Sequence, residues 1–138
     1  MTTGRFLLRA AVFCAAWVPA AAVAQTRISP EAFLDAVVGK TVTFHELTSG
    51  MLVGTEEFLS PTRSVWRREG EGCVYGQITT PDGKLCFLYD TEPGPVCWWP
   101  FEHDGRLLVR IARLGDGEIQ EVSGFSEDGL DCPSVPIS

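Results

Sequence analysis

Between Trp66 and Trp99 the chain alternates aromatic and polar residues, and turn formers interrupt it every few positions. A period of two places successive side chains on opposite faces, which is the signature of half-buried strands. The interruptions are Gly70-Glu71-Gly72, Pro81-Asp82-Gly83 and Thr91 to Pro95. Each is too short to hold a crossover helix, so neighbouring strands have to run antiparallel. The same stretch contains Trp66, Trp98 and Trp99, both tyrosines, and Cys73, Cys86 and Cys97. A chain built this way has to fold around that stretch.

The pattern extends in both directions. Expected strands run over 41–47, 51–59, 64–69, 73–80, 84–90, 96–102, 106–114 and 118–123, joined by short turns. Val42 and Phe44 share one face of the first, with Thr43 and His45 on the other. Gly54 is a candidate bend in the second. The fold class expected is mainly β: about eight strands in an antiparallel meander, closed into a small barrel or left as a strongly curved sheet. One short helix precedes it. Ser29 is placed to cap it, Pro30 suits its first turn, and Glu31 favours its positive end. Phe33, Leu34, Val37 and Val38 recur at helical spacing until Gly39, so the helix reads as a lid on the sheet. Residues 124–138 are turn-rich and read as an irregular tail.

The first 24 residues read as a secretory signal. Arg5 and Arg9 precede the apolar run from Ala10 to Val18, which is too short to span a bilayer. Ala22-Val23-Ala24 then offers a small-x-small cleavage site before Gln25. Cys14 would leave with the signal. Residues 25–138 form one domain, expected in the periplasm or outside the cell. Without Arg5 and Arg9 that domain has 9 basic residues against 18 acidic ones, a charge of −9. Such an excess argues against nucleic acid and anionic membranes as partners. No later segment is long enough to span a membrane.

Cys73, Cys86, Cys97 and Cys132 remain, an even number in an oxidising compartment, so two disulfides are expected. Their spacing contains no C-x-x-C pair, which disfavours zinc. Three connectivities are open. If Asp90 faces Val96, Cys97 lies on the face of Tyr89 and not of Cys86. A Cys86–Cys97 bridge therefore requires a one-residue shift or a bulge in that hairpin. Cys73–Cys132 would be its companion, and this pairing is favoured over the other two.

The combination of Gly39-Lys40-Thr41, Glu57-Phe58, Trp66, Gly72-Cys73-x-Tyr75-Gly76, Leu85-Cys86-Phe87-x-Tyr89 and Cys97-Trp98 resembles small secreted bacterial β-domains that are uncharacterised. The resemblance implies a lipocalin-like or calycin-like architecture and no particular chemistry. Lipocalins open with Gly-x-Trp, whereas Gly39-Lys40-Thr41 has no Trp.

No catalytic set stands out. His45-Glu46 and His103-Asp104 are neighbours whose side chains point apart on a strand. Glu56 and Glu57 diverge for the same reason. Ser64 and Ser123 lack a nucleophile-elbow context, and no Gly-rich loop opens a helix. The better candidates for a binding surface are Trp66, Arg68, Tyr75, Trp98 and Trp99. Consecutive strand residues face opposite ways, so one of Trp98 and Trp99 has to leave the core. An outward Trp beside Arg67 or Arg68 suits a partner or ligand. The expected function is a non-enzymatic protein-interaction or envelope module without a cofactor. A carrier of a small apolar ligand is the alternative, and a hydrolase the weakest option.

Overall fold

The computed structural model describes residues 24–113, 115 and 117–133, together with Met1. The expected signal segment lies almost wholly outside the described residues, as do Leu114, Asp116 and the last five positions. A two-residue strand β1 (Thr26–Arg27) and helix α1 (Pro30–Val37) precede β2 (Thr41–Glu46), β3 (Leu52–Ser60), β4 (Arg63–Arg67) and β5 (Val74–Thr79). They are followed by β6 (Leu85–Tyr89), β7 (Val96–His103), β8 (Arg106–Ile111) and β9 (Ile119–Ser126).

The eight strands from β2 to β9 each pair antiparallel with their sequence neighbour, and β9 returns to pair with β2. The meander is therefore a closed barrel, and closure removes the free edges that an open sheet would expose. β1 pairs with the second half of β7, Thr26 opposite Glu102 and Arg27 opposite Phe101. Sequence periodicity misses this strand because two residues carry no period. β9 also runs to Ser126, three positions into the stretch expected to be irregular.

Helix α1 forms where its capping residues direct it. Ser29 Oγ accepts a hydrogen bond from Ala32 N–H at 3.1 Å, and Gly39 takes φ +81° just beyond the helix end. Phe33, Leu34 and Val37 are buried against the barrel. Phe33 meets Phe58 edge-on at 6.1 Å, and Phe58 meets Phe87 at the same distance. Since the strands alternate in direction, the helix sits where β2 starts, and the loops after β2, β4, β6 and β8 form the opposite rim.

The β6–β7 register corrects the sequence-based hairpin. Phe87, not Asp90, lies opposite Val96, so Cys86 faces Cys97 directly. The shift is three residues, an odd number, and it moves Cys97 to the face of Cys86. The Cys86–Cys97 bridge forms there, with Cα atoms 4.0 Å apart. Cys73–Cys132 is the second bridge and ties the tail to the barrel. Two further contacts hold that tail. Glu57 Oε2 accepts from Leu130 N–H at 2.8 Å, and the Tyr75 hydroxyl donates to the Pro133 carbonyl.

Candidate functional site

The inner face of the barrel is not filled. A cavity of about 240 Å³ opens at the rim opposite α1. Its walls include Phe44 on β2, Trp66 on β4, Phe87 and Tyr89 on β6, and Trp98 on β7, with Phe33 of the helix reaching it as well. Arg68, Glu71 and Glu92, from the loops after β4 and β6, line it near the rim.

Two glycines make room for these rings. A Cβ on Gly54 would lie 2.4 Å from the Trp66 indole, and a Cβ on Gly76 would lie 2.8 Å from the Tyr89 ring. Gly54 was expected as a bend, and the β2–β3 register does slip there, between Phe44 opposite Gly54 and His45 opposite Leu52. The extra residue is Val53, and its bulge brings Val53 to the cavity wall as well.

One carboxyl lies inside this apolar cup. Glu56 on β3 is only 2% exposed. Its Oε1 accepts from Ser64 Oγ at 2.6 Å and from the Tyr89 hydroxyl at 2.9 Å. Oε2 has no hydrogen-bond partner among the described residues, and Glu56 is part of the cavity wall. Burial pushes this carboxyl up to about 7, with the two hydrogen bonds pulling the other way. The Tyr89 hydroxyl is raised too, first by burial and then by the neighbouring Glu56 charge. The site thus holds a carboxyl that changes charge near neutrality in a wall of aromatic rings.

Sequence reasoning missed Glu56, although it had a usable signal. Gly54, Glu56 and Phe58 share a strand face, and Phe58 is a natural core residue. A carboxyl between a glycine and a phenylalanine on the core face is out of place unless it is hydrogen-bonded or functional. Glu57 points away, as expected of its neighbour.

The five expected surface residues do not form one surface. Trp66, Arg68 and Trp98 line the cavity. Tyr75 points outward to the tail. Trp99 is the outward member of the tryptophan pair, but its companions differ from those expected. Arg27 lies 4.1 Å over its ring and Lys84 lies 5.7 Å away. Arg68 belongs to the inner face with Trp66.

The histidines lie outside the cavity wall. His45 Nδ1 is 2.5 Å from Ser123 Oγ, a pairing that the sequence did not suggest. Ser123 Oγ also donates to the Thr43 carbonyl at 3.1 Å. His103 and Asp104, expected to point apart, instead meet, with Nε2 3.4 Å from Oδ2, because Asp104 takes φ +51° at a hairpin turn and is not in extended strand. Among the described residues no group of three His, Cys, Asp or Glu is placed to hold a metal ion, and no helix is long and apolar enough to cross a membrane.

No protein-family model, curated protein or solved structure matches the chain. Its architecture is that of an eight-stranded antiparallel barrel with two disulfides, which suit an oxidising, extracytoplasmic compartment.

Proposed function

We propose that this protein binds and carries a small, mainly apolar molecule inside its barrel, in the manner of the calycin-like domains it resembles. The observation that carries the reading is the open cavity itself. In a barrel of eight strands the interior has just enough width to be packed solid with side chains. Here a rim-facing space remains beside the Trp66 and Tyr89 rings that Gly54 and Gly76 admit. Ligand sites of this kind combine apolar walls with a few placed polar groups. Glu56, Ser64 and Tyr89 supply the polar groups.

The volume limits the cargo. At the packing density of protein interiors, about 0.75, the cavity holds on the order of a dozen non-hydrogen atoms. That suits a single ring with a short chain and is too small for a long acyl chain. Release of the cargo into the periplasm, or outside the cell, fits the expected signal segment and the two disulfides.

The protein-interaction reading has Trp99 in its favour, since that indole does face outward. It is the weaker reading because the Arg27 guanidinium already covers the ring. The experiment that tests the carrier reading is native mass spectrometry of protein taken gently from the producing cells, alongside a Val109→Trp variant that fills the cavity. The carrier reading requires a bound small molecule in the first that the second lacks. A ligand-free protein that also fails to bind any small aromatic probe would sink it.

A further inference from the structure

Resting on that carrier reading, we infer that the cargo is an organic cation, a small aromatic or alkyl amine whose ammonium group sits against Glu56 Oε2. Three features of the cavity favour this class over neutral or anionic cargo. Glu56 Oε1 is committed to Ser64 and Tyr89, which orients the carboxyl and leaves Oε2 free to accept from a ligand donor. The walls beside it are the rings of Trp66, Trp98, Phe44, Phe87 and Tyr89. Aromatic faces carry negative potential and attract a cation, while they repel an anion. Finally, two carboxylates, Glu71 and Glu92, and one guanidinium, Arg68, face the cavity near the rim. The chain as a whole carries a formal charge of −7, so its field draws cations towards that opening.

Burying an ammonium with a carboxylate costs less than burying either charge alone, and it replaces the proton that Glu56 holds when the cavity is empty. Ammonium binding therefore expels the Glu56 proton to solvent below neutral pH. Of the charged or titratable groups in the cavity wall, Tyr89 from β6 touches this carboxyl, and Arg68 after β4, with Glu71 and Glu92 from the rim loops, share the cavity with it. Phe33 of α1, Phe44 of β2, Val74 of β5, Trp98 of β7, Val109 of β8 and Gln120 of β9 add no charge.

The test compares three probes with one skeleton: phenethylamine, phenethyl alcohol and hydrocinnamate. Binding to the disulfide-bonded protein is followed by calorimetry and by tryptophan fluorescence. The amine is expected to bind roughly 10- to 100-fold more tightly than the alcohol, the range a charge-assisted hydrogen bond supports. Its affinity should fall about tenfold per pH unit below the Glu56 titration, with proton release in buffers of different ionisation enthalpy. Glu56→Gln should remove the difference between amine and alcohol, and an unchanged near-ultraviolet circular dichroism spectrum would show the aromatic walls intact. If Glu56→Gln does not fold, the wild-type pH dependence decides the matter alone. Equal or tighter binding of the alcohol, or preference for hydrocinnamate, overturns the cation assignment and leaves the carrier reading standing. Failure of all three to bind at millimolar concentration removes both.

Discussion

Tyr89 donates a hydrogen bond of 2.9 Å to Glu56 across the barrel interior, between side chains 33 residues apart in the chain. The strands that bear them, β3 and β6, are not neighbours in the sheet. Only the curvature of the closed barrel brings them within reach. The bond keeps a carboxyl and a phenol, both costly to bury, partly satisfied in an apolar space.

Glu56 makes stability fall with rising pH. Its folded value of about 7 lies above the ordinary carboxyl value of 4.5, so the folded state holds the proton more tightly than the unfolded chain. The Glu56 contribution is complete below the unfolded value and is lost as pH rises through the folded one. The loss amounts to roughly 3 kcal/mol across that window. Urea unfolding of wild type between those two pH values should show this slope, and Glu56→Gln should flatten it.

Glu46 acts with the opposite sign. Hydrogen bonds from Ser49 and Thr48 hold its carboxyl down to about 2. The turn after β2 should therefore loosen as pH falls from the ordinary carboxylate range through that value. The protection factors of the Thr48 and Ser49 amides, corrected for intrinsic exchange, are the measurement, and Glu46→Gln should remove their fall with pH.

Gly54→Ala and Gly76→Ala should each destabilise by about 1–3 kcal/mol, the usual cost of overpacking. The added methyl group meets the Trp66 indole in the first and the Tyr89 ring in the second. Gly76→Ala should also disturb Glu56, because Tyr89 is its hydrogen-bond donor. Chemical denaturation measures the cost, and the tryptophan emission of folded Gly54→Ala reports the displaced Trp66 indole.

The two bridges should differ in worth. Cys73–Cys132 closes an interval of 59 residues and Cys86–Cys97 one of 11. Chain entropy assigns roughly 4 kcal/mol to the longer and roughly 3 to the shorter. Double Cys→Ala variants, compared by urea midpoint, should follow that order. Loss of the longer bridge should leave the cavity in place, since none of the described tail residues lines it.

Trp98→Ala and Trp99→Ala should separate binding from surface packing. Trp98 is part of the cavity wall, and its loss should alter probe affinity and cost about 2 kcal/mol or more. Trp99→Ala loses its contact with Arg27, worth about 0.5–1 kcal/mol at an exposed site. Probe binding should then be unchanged, and binding lost in Trp99→Ala instead would contradict the assignment of the inner face.

Local structure was legible along the chain. Alternation of apolar and polar residues located all eight barrel strands, and Ser29-Pro30 located the helix. The adjacency of Trp98 and Trp99 required one to face outward. Each of these follows from backbone geometry within a few residues. Tertiary structure decided the rest. The β6–β7 register, which aligns Cys86 with Cys97, depends on how many loop residues remain unpaired, and the two-residue period is silent on that number. Whether the sheet closed depended on β9 meeting β2, a pairing between the two ends of the meander. Along the chain Glu56 stands out only as a carboxyl on the core face of its strand, because its partners, Ser64 and Tyr89, lie on other strands. Its neighbours along the chain carry no trace of them, and only closure of the barrel turns it into the polar centre of a cavity.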